Sequence, residues 1–260
     1  TIAAGIANDN RRKRTRQRMK RALIIGLNYA GSQYALNGCE IDAANIYNRM
    51  PRNAYGATLT GTYSAERFYA DCASLRDACT EKDTTYICFS GHGTYLDDIT
   101  EVDGFQGGIC FWNGSKIEII PEHDFRRAVE QIAGSVIVIL DCCFAGEFSK
   151  MSQYQPVRRT AKFVHFNANE MRIELFKTRP QTRAAARKPK IYWLLACAFN
   201  EVSYDTGNGG LFTSAFVRAY DAFKPRSIKR LMEYAKIKCE PDQTPNFKCE
   251  NGARPTKTVF

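Results

Sequence analysis

The sequence predicts an α/β fold, in which helices flank both faces of a mostly parallel central sheet. Two observations lead to this prediction. First, four short apolar runs, rich in β-branched and aromatic residues, have the length of buried parallel strands: residues 22–27, 85–90, 136–140 and 191–196. Second, helical patterns separate these runs or follow the last one, at residues 40–50, 65–79, 123–132, 213–223 and 227–237. Such alternation is typical of a doubly wound sheet.

One further element is predicted at residues 108–120, where Asn113-Gly114 lies between two apolar runs. Asn-Gly supplies the backbone conformation that tight hairpin turns need. We therefore expect a small β-hairpin that projects from the α/β layers.

Length and composition favour one domain with a single core, since the chain has 260 residues, of which 44% are hydrophobic. No apolar run is long enough to cross a membrane, and the N-terminal residues are too polar for a secretory signal. We therefore expect no membrane contact, a cytoplasmic location and reduced thiols for the ten cysteines. The three histidines lie far apart and no Cys-x-x-Cys occurs, so zinc is not expected.

The net charge of +10 is concentrated in two segments. Residues 11–21 hold eight Lys or Arg and no acid, and residues 147–190 hold eleven Lys or Arg against three acids. Blocks of like charge usually form solvated arms, so we interpret these segments as an N-terminal arm and a linker, and expect no nucleic-acid partner. The rest of the chain is acidic, which suits the binding of cationic peptide side chains.

Two predicted strands end in reactive side chains flanked by glycine. The first runs into Ser90-Gly91-His92-Gly93, and the second into Asp141-Cys142-Cys143-Phe144-Ala145-Gly146. Reacting groups in open α/β sheets gather beyond the carboxyl ends of the strands. A thiol nucleophile needs a nearby base and donors for the developing oxyanion, and these two ends can supply both. His92 precedes Cys143 by 51 positions.

These motifs resemble those of the caspase-fold cysteine peptidases, specifically the metacaspase and orthocaspase branch. Further segments resemble family landmarks: Ala22 to Tyr29, Leu36 to Ala43, Leu195-Ala196-Cys197, Gly210 to Thr213 and Gln243-Thr244-Pro245. The resemblance implies a caspase-hemoglobinase fold. It divides the chain into an arm (residues 1–20), a larger part of the catalytic domain (21–146), a linker (147–190) and a smaller part of the same domain (191–260).

The resemblance also implies the roles of the site residues. The family pattern Asp-x-Cys-x-x-Gly makes Cys143 the nucleophile, rather than Cys142, and His92 the general base. The backbone amides of Gly93 and Cys143 would form the oxyanion hole. Phe144-Ala145 departs from the family, which usually has His-Ser at these positions.

Relatives of this branch cleave after Arg or Lys, and the matching pocket residues here are Asp42, Asp141, Ser90 and Cys39. A guanidinium or ammonium group can pair with two such carboxylates through charge-assisted hydrogen bonds. We therefore expect protein or peptide substrates with Arg or Lys before the scissile bond. For Asp42, an alternative is a purely helical role at the start of a helix.

Many metacaspases require calcium, and here the acids include Asp103 and Asp124, which could supply oxygen ligands. A solvated acidic loop is the alternative. The basic linker predicts self-cleavage at residues 147–190, and residues 11–21 are a second candidate segment. The candidate positions in the linker are ten basic residues: Arg158, Arg159, Lys162, Arg172, Lys177, Arg179, Arg183, Arg187, Lys188 and Lys190.

Other interpretations stay open. The chain could be a caspase-fold scaffold or a nucleic-acid adaptor with a vestigial site, or an enzyme kept latent by its linker. We expect a monomer, and the basic segment at residues 11–21 would also suit nuclear targeting.

Overall fold

The computed structural model describes residues 18–51, 54–97, 105–143, 159–164, 171–175, 188–198 and 201–260. In chain order, the elements are β1 (Lys20–Gly26), α1 (Cys39–Tyr47), β2 (Ala54–Thr60), α2 (Ala65–Ala78), β3 (Thr84–Ser90), β4 (Gly93–Asp97), β5 (Phe105–Trp112), β6 (Ile117–Pro121), α3 (Glu122–Glu130), β7 (Ser135–Asp141), β8 (Thr160–Ala161), β9 (Met171–Ile173), β10 (Lys190–Leu195), β11 (Tyr204–Asp205), α4 (Leu211–Ala222), α5 (Ile228–Cys239) and β12 (Asn246–Glu250).

A six-stranded sheet forms the centre, in the order β12-β10-β7-β3-β1-β2. All neighbouring strands are parallel except β12, which pairs antiparallel with β10 at one edge. Residues 21–146 and residues 191–260 thus contribute strands to one continuous sheet. The predicted fold class is confirmed.

The two faces of the sheet carry separate cores because side chains alternate along a strand. Leu23 and Ile25 face the core that contains α2, α3 and the β5-β6 hairpin. Ala22 and Ile24 face the core that contains α1, α4 and α5. Away from the strand ends, the side chains on both faces of these central strands are therefore buried, which explains why the apolar runs are continuous in the sequence.

The helices begin and end close to the predicted positions. Ser64 caps α2 by accepting a hydrogen bond from the Arg67 amide at 3.2 Å. Ser227 caps α5 in the same way, with the Arg230 amide at 3.4 Å. A serine oxygen at this position satisfies one of the backbone donors that a helix start leaves without an intrahelical partner.

The predicted hairpin is confirmed and belongs to a second, smaller sheet in the order β4-β5-β6-β9. Asn113 shapes its turn, since its Oδ1 accepts hydrogen bonds from the amides of Ser115 and Lys116, both at 2.9 Å. Gly114 has a φ of 98°, a conformation that favours glycine. This sheet packs against one face of the central sheet.

Residues 159–164 of the predicted linker are not solvated throughout. β8 pairs antiparallel with β11, and the Lys162 side chain is fully buried, while Thr160 is exposed. The cause is nonlocal, since the partners of Lys162 lie far away in the sequence. Residues 147–158, 165–170 and 176–187 of the linker, and residues 11–17 of the basic arm, lie outside the described residues.

Among the described residues, no helix has both the length and the apolar composition needed to cross a membrane.

Tyr29 connects the end of β1 to the segment that carries His92. Its hydroxyl donates to the Cys110 carbonyl at 2.7 Å and accepts from the His92 amide at 2.8 Å. The Tyr29 side chain is fully buried, and its ring lies 4.7 Å from the His92 ring, measured between centroids. A single hydroxyl thus satisfies a buried donor and a buried acceptor.

We predict that Tyr29→Phe lowers the free energy of unfolding by about 1–3 kcal/mol, because it leaves both buried backbone groups without their partner. Urea denaturation of the purified protein measures this change. Tyr47→Phe is the matched control, since Tyr47 is 48% exposed on α1, and its effect should stay within about 0.5 kcal/mol. Equal stabilities for the two variants would contradict the account of Tyr29.

Candidate active site

The pairing of β3 with β7 brings the two predicted motifs together. Ser90 lies opposite Asp141 in the parallel register, and the Gly91 amide continues the ladder with a 3.2 Å hydrogen bond to the Asp141 carbonyl. Beyond the strand ends, Gly93 approaches Cys143 so closely that a Cβ on Gly93 would collide with the Cys143 carbonyl oxygen. Glycine is therefore required at position 93.

His92 is buried, with only 3% of its surface exposed. Its Nε2 lies 2.7 Å from the Tyr34 carbonyl oxygen, which can only accept, so Nε2 carries the hydrogen. Burial lowers the pKa of His92 to about 4, although the hydrogen bond to Tyr34 acts in the opposite direction. The imidazole is therefore neutral near pH 7. Its Nδ1 carries the lone pair, and this buried atom has no hydrogen-bond partner among the described residues.

Cys143 is fully buried beside the backbone of Ser203. The Ser203 amide donates to the Cys143 Sγ at 3.0 Å, and this Sγ lies 3.5 Å from the Ser203 carbonyl oxygen. Burial, and then the neighbouring Cys197 thiol, raise the pKa of Cys143 well above its usual value. The site thus combines a protonated thiol with a neutral imidazole, so the thiol needs a base in order to react.

The acid pocket, which we define as Asp42, Asp141, Ser90 and Cys39, lies next to these strand ends. Both carboxylates are almost completely buried. Burial raises the pKa of Asp42 to about 6, although Lys162 acts in the opposite direction. Burial also raises the pKa of Cys39 to about 12.

Hydrogen bonds hold both carboxylates in place. Asp42 accepts from the Ser90 hydroxyl at 2.7 Å and from the Gly210 amide at 2.8 Å. Asp141 accepts from the Ser203 hydroxyl at 2.6 Å and from the Thr213 hydroxyl at 2.7 Å. These neutral donors fix the geometry of the pocket but do not neutralise its two negative charges.

Lys162 fills the acid pocket. Its Nζ lies 3.0 Å from Asp42 Oδ2 and 3.0 Å from Asp141 Oδ1, and it donates to the Ser90 hydroxyl at 2.9 Å. Burial would lower the pKa of Lys162, but Asp141 and Asp42 outweigh this effect and raise it well above the usual value. The ammonium group is thus a buried cation that two buried carboxylates compensate.

The backbone of Lys162 is held at the same time. Its carbonyl oxygen accepts from the Gly93 amide at 2.9 Å and from the Cys143 amide at 3.4 Å. Its own amide donates to the Ser203 carbonyl at 2.8 Å. Immediately before it, β8 pairs with β11, and Arg159 forms an ion pair with Asp242. Residues 160 and 161 therefore form a short strand, and the chain bends at Lys162, whose carbonyl lies between two backbone donors beside Cys143.

The residues predicted for the dyad, the oxyanion hole and the acid pocket lie at this edge of the sheet: His92, Cys143, Gly93, Asp42, Asp141, Ser90 and Cys39. The His92 Nε2 contacts the Tyr34 carbonyl and the Cys143 thiol contacts the Ser203 backbone, so the pairing of the two side chains stays a prediction. Sequence reasoning missed three contributors, namely the backbone carbonyls of Tyr34 and Ser203 and the place of Lys162. A short apolar stretch after Lys162, inside an otherwise polar linker, was the only local signal of order there.

The predicted calcium ligands are not part of this cluster. Asp124 is buried in the first turn of α3, where its carboxylate lies 3.1 Å from Arg127 Nη1. Asp103 lies outside the described residues. Within the described ranges, no group of three or more His, Cys, Asp or Glu side chains is arranged to hold a metal ion. The described residues therefore do not form a donor set for calcium, and its role stays a prediction.

Known proteins are similar to this chain at the level of family and fold. The family model of the caspase domain, Peptidase C14, matches residues 19–255. Metacaspase-7 of Arabidopsis thaliana is 28% identical over 141 residues, which cover 49% of this chain and 35% of that protein. Metacaspase-1 of Saccharomyces cerevisiae is 30% identical over 146 residues, which cover 49% of this chain and 33% of that protein. The matched region is thus about a third of the length of these relatives.

A solved structure extends the fold comparison to almost the whole chain. The crystal structure of a protein from Geobacter sulfurreducens superimposes with a TM-score of 0.72, covering 91% of this chain and 95% of that one, at 22% sequence identity. At this identity the likeness concerns the fold alone. The family match extends over most of the chain, and the chain therefore belongs to the caspase domain family of cysteine peptidases, in its metacaspase and orthocaspase branch.

Proposed function

We propose that this chain is a cysteine endopeptidase that cleaves after Lys or Arg, and that its own Lys162–Phe163 bond is its first substrate. One observation carries the proposal: Lys162 occupies the acid pocket while its carbonyl oxygen accepts hydrogen bonds from the Gly93 and Cys143 amides. A side chain in a specificity pocket and a carbonyl in an oxyanion hole are the two contacts that a bound substrate residue must make.

The proposed reaction begins at Cys143. Nδ1 of His92 takes the thiol proton while Sγ forms a bond with the Lys162 carbonyl carbon, and the negative charge on the carbonyl oxygen is stabilised by the two backbone amides. His92 then gives the proton to the nitrogen of Phe163, and the C–N bond breaks to leave a thioester on Cys143. Water, deprotonated by His92, hydrolyses the thioester, and the thiol regains its proton.

The preference for a cation follows from the electrostatics of the acid pocket. Two buried carboxylates without a cation would repel each other at high cost, because little solvent is present to screen them. A Lys or Arg side chain relieves this repulsion, whereas an Asp side chain would add a third negative charge. The same pocket therefore favours basic residues and rejects acidic ones.

Occupation of the site by residues 159–164 also supports a latent form of the enzyme. A second peptide cannot enter the acid pocket while Lys162 fills it. Cleavage after Lys162 separates this residue from the chain that follows, which allows the segment to leave. We therefore propose that self-cleavage in the linker activates the enzyme towards other substrates.

We predict that self-cleavage requires both Cys143 and a cation at position 162. In a time course of cell-free translation followed on gels, the wild-type chain should be converted to two fragments, and Cys143→Ala should stay intact. Lys162→Arg should still be cut, and Lys162→Gln should be cut at least about 30-fold more slowly, since it leaves two buried charges without their partner.

Arg172→Gln is the matched control for these variants, because Arg172 belongs to the same linker but is exposed and pairs with Glu174. Its rate should equal that of the wild type. Unchanged cleavage in Lys162→Gln, or fragments from Cys143→Ala, would contradict the proposed function.

We predict that the preference for a basic residue before the scissile bond also holds for peptides added to the enzyme. The processed enzyme should hydrolyse peptides with Arg or Lys before the scissile bond and leave the Asp analogue intact, as measured by kcat/KM. Asp141→Asn should lower the ratio of kcat/KM for Lys over Gln peptides by at least about 30-fold, because the cation loses one of its two partners. Asp77→Asn, on the exposed surface of α2, is the control and should keep the ratio.

The ratio of kcat/KM for Lys peptides over Gln peptides should depend on pH, because the charge of Asp42 depends on pH. The pKa of Asp42 is raised to about 6, so its carboxylate takes up a proton and loses its charge as the pH falls through this value. The Lys side chain of the substrate stays charged throughout. We predict that the preference for Lys over Gln falls about tenfold between pH 7 and pH 5 in the wild type. Asp42→Asn should have a low ratio at both pH values, and a flat profile in the wild type would contradict this assignment.

A further inference from the structure

We infer that the enzyme also selects its substrates by the two residues after the scissile bond, an aromatic residue followed by a β-branched aliphatic one. This inference rests on the proposed function, in which Lys162 precedes the scissile bond. The two positions that follow are then those of Phe163 and Val164, and both contact β4.

The backbone contacts add one parallel bridge at the edge of the smaller sheet. One side of β4 pairs with β5, and its other side receives the segment that contains Phe163 in a parallel bridge at Gly93. The Gly93 amide donates to the Lys162 carbonyl at 2.9 Å, and the Val164 amide donates to the Gly93 carbonyl at 3.1 Å. The bridge uses the same contacts as peptide binding at a sheet edge, in which main-chain hydrogen bonds hold the peptide and side-chain pockets supply specificity.

The first side chain after the scissile bond stacks on Tyr95. The rings of Phe163 and Tyr95 lie 5.7 Å apart between centroids, with 24° between their planes. Aromatic pairs in this geometry attract each other beyond the effect of burial alone. An aromatic residue should therefore bind this position better than a small or charged one.

The second side chain lies in a closed site. Val164 is only 3% exposed, and its carbonyl oxygen accepts a hydrogen bond from the Thr94 hydroxyl at 2.8 Å. Thr94 is itself buried. A charged residue at this position would lose its hydration, whereas a β-branched aliphatic residue favours the β conformation that the bridge requires.

Internally quenched peptides test this inference with the processed wild-type enzyme. The parent peptide contains Arg-Thr-Ala-Lys-Phe-Val, the sequence of residues 159–164. Because this peptide also contains Arg, cleavage at its Lys-Phe bond is followed by mass spectrometry. Replacing its Phe by Ala should lower kcat/KM at this bond about threefold to tenfold. Replacing its Val by Asp should lower kcat/KM at least about 30-fold, since a charge would be buried.

Enzyme variants test whether the Tyr95 ring causes the preference for Phe after the scissile bond. Tyr95→Ala should abolish the preference for Phe over Ala, and Tyr95→Phe should keep it. Tyr47→Ala, on the exposed face of α1, is the control and should behave as the wild type. The methyl ester of acetyl-Arg-Thr-Ala-Lys has no residues after the scissile bond, so Tyr95→Ala should hydrolyse it at the wild-type rate.

The outcomes separate the two proposals. If the wild type hydrolyses the ester and the peptides but treats Phe and Ala alike, the inference about β4 is overturned and the proposed function stands. If the wild type hydrolyses neither the ester nor any peptide, the proposed function is overturned and this inference falls with it.

Discussion

The parallel pairing of β3 with β7 is the constraint on which the site depends. Its register sets Ser90 opposite Asp141, so that the segments continuing from both strands meet at the same edge of the sheet. Gly93 then fits against the Cys143 carbonyl without a side chain, and its amide points at the same acceptor as the Cys143 amide. A shift of one residue in this pairing would turn alternate side chains to the other face and separate the acid pocket from the nucleophile.

The buried cation is the second feature that ties the structure together. Lys162 reaches Asp42 and Asp141 from a segment that is distant in sequence from both of them. Breaking a buried ion pair by removing one partner typically costs about 3–5 kcal/mol, so the seated segment is held firmly. The same contacts that hold it would also align its carbonyl with the nucleophile. In our proposal, the contacts of Lys162 therefore both block the acid pocket and present the Lys162–Phe163 bond to the nucleophile. Cleavage of this bond then ends the inhibition.

Much of this arrangement could be predicted from the sequence, because its signals are local. The apolar runs of β1, β3, β7 and β10 are continuous, and His92 and Cys143 directly follow two of them. The edge strands β2 and β12 carried no such signal, since an edge strand needs no continuous apolar run. The contacts of Tyr34 with His92 and of Ser203 with Cys143 come from backbone groups, which no side-chain pattern marks. Lys162 was one basic residue among many in the linker, and only the tertiary structure distinguishes it from Arg159 or Lys188.

The central claim is that Lys162 is bound as the residue before a scissile bond. Intact mass spectrometry of the purified chain after incubation tests this claim most directly. The account predicts two fragments whose masses place a single first cut between Lys162 and Phe163, and an uncut mass for Cys143→Ala. A first cut elsewhere in residues 147–190, or a wild-type chain that keeps its full mass, would contradict it.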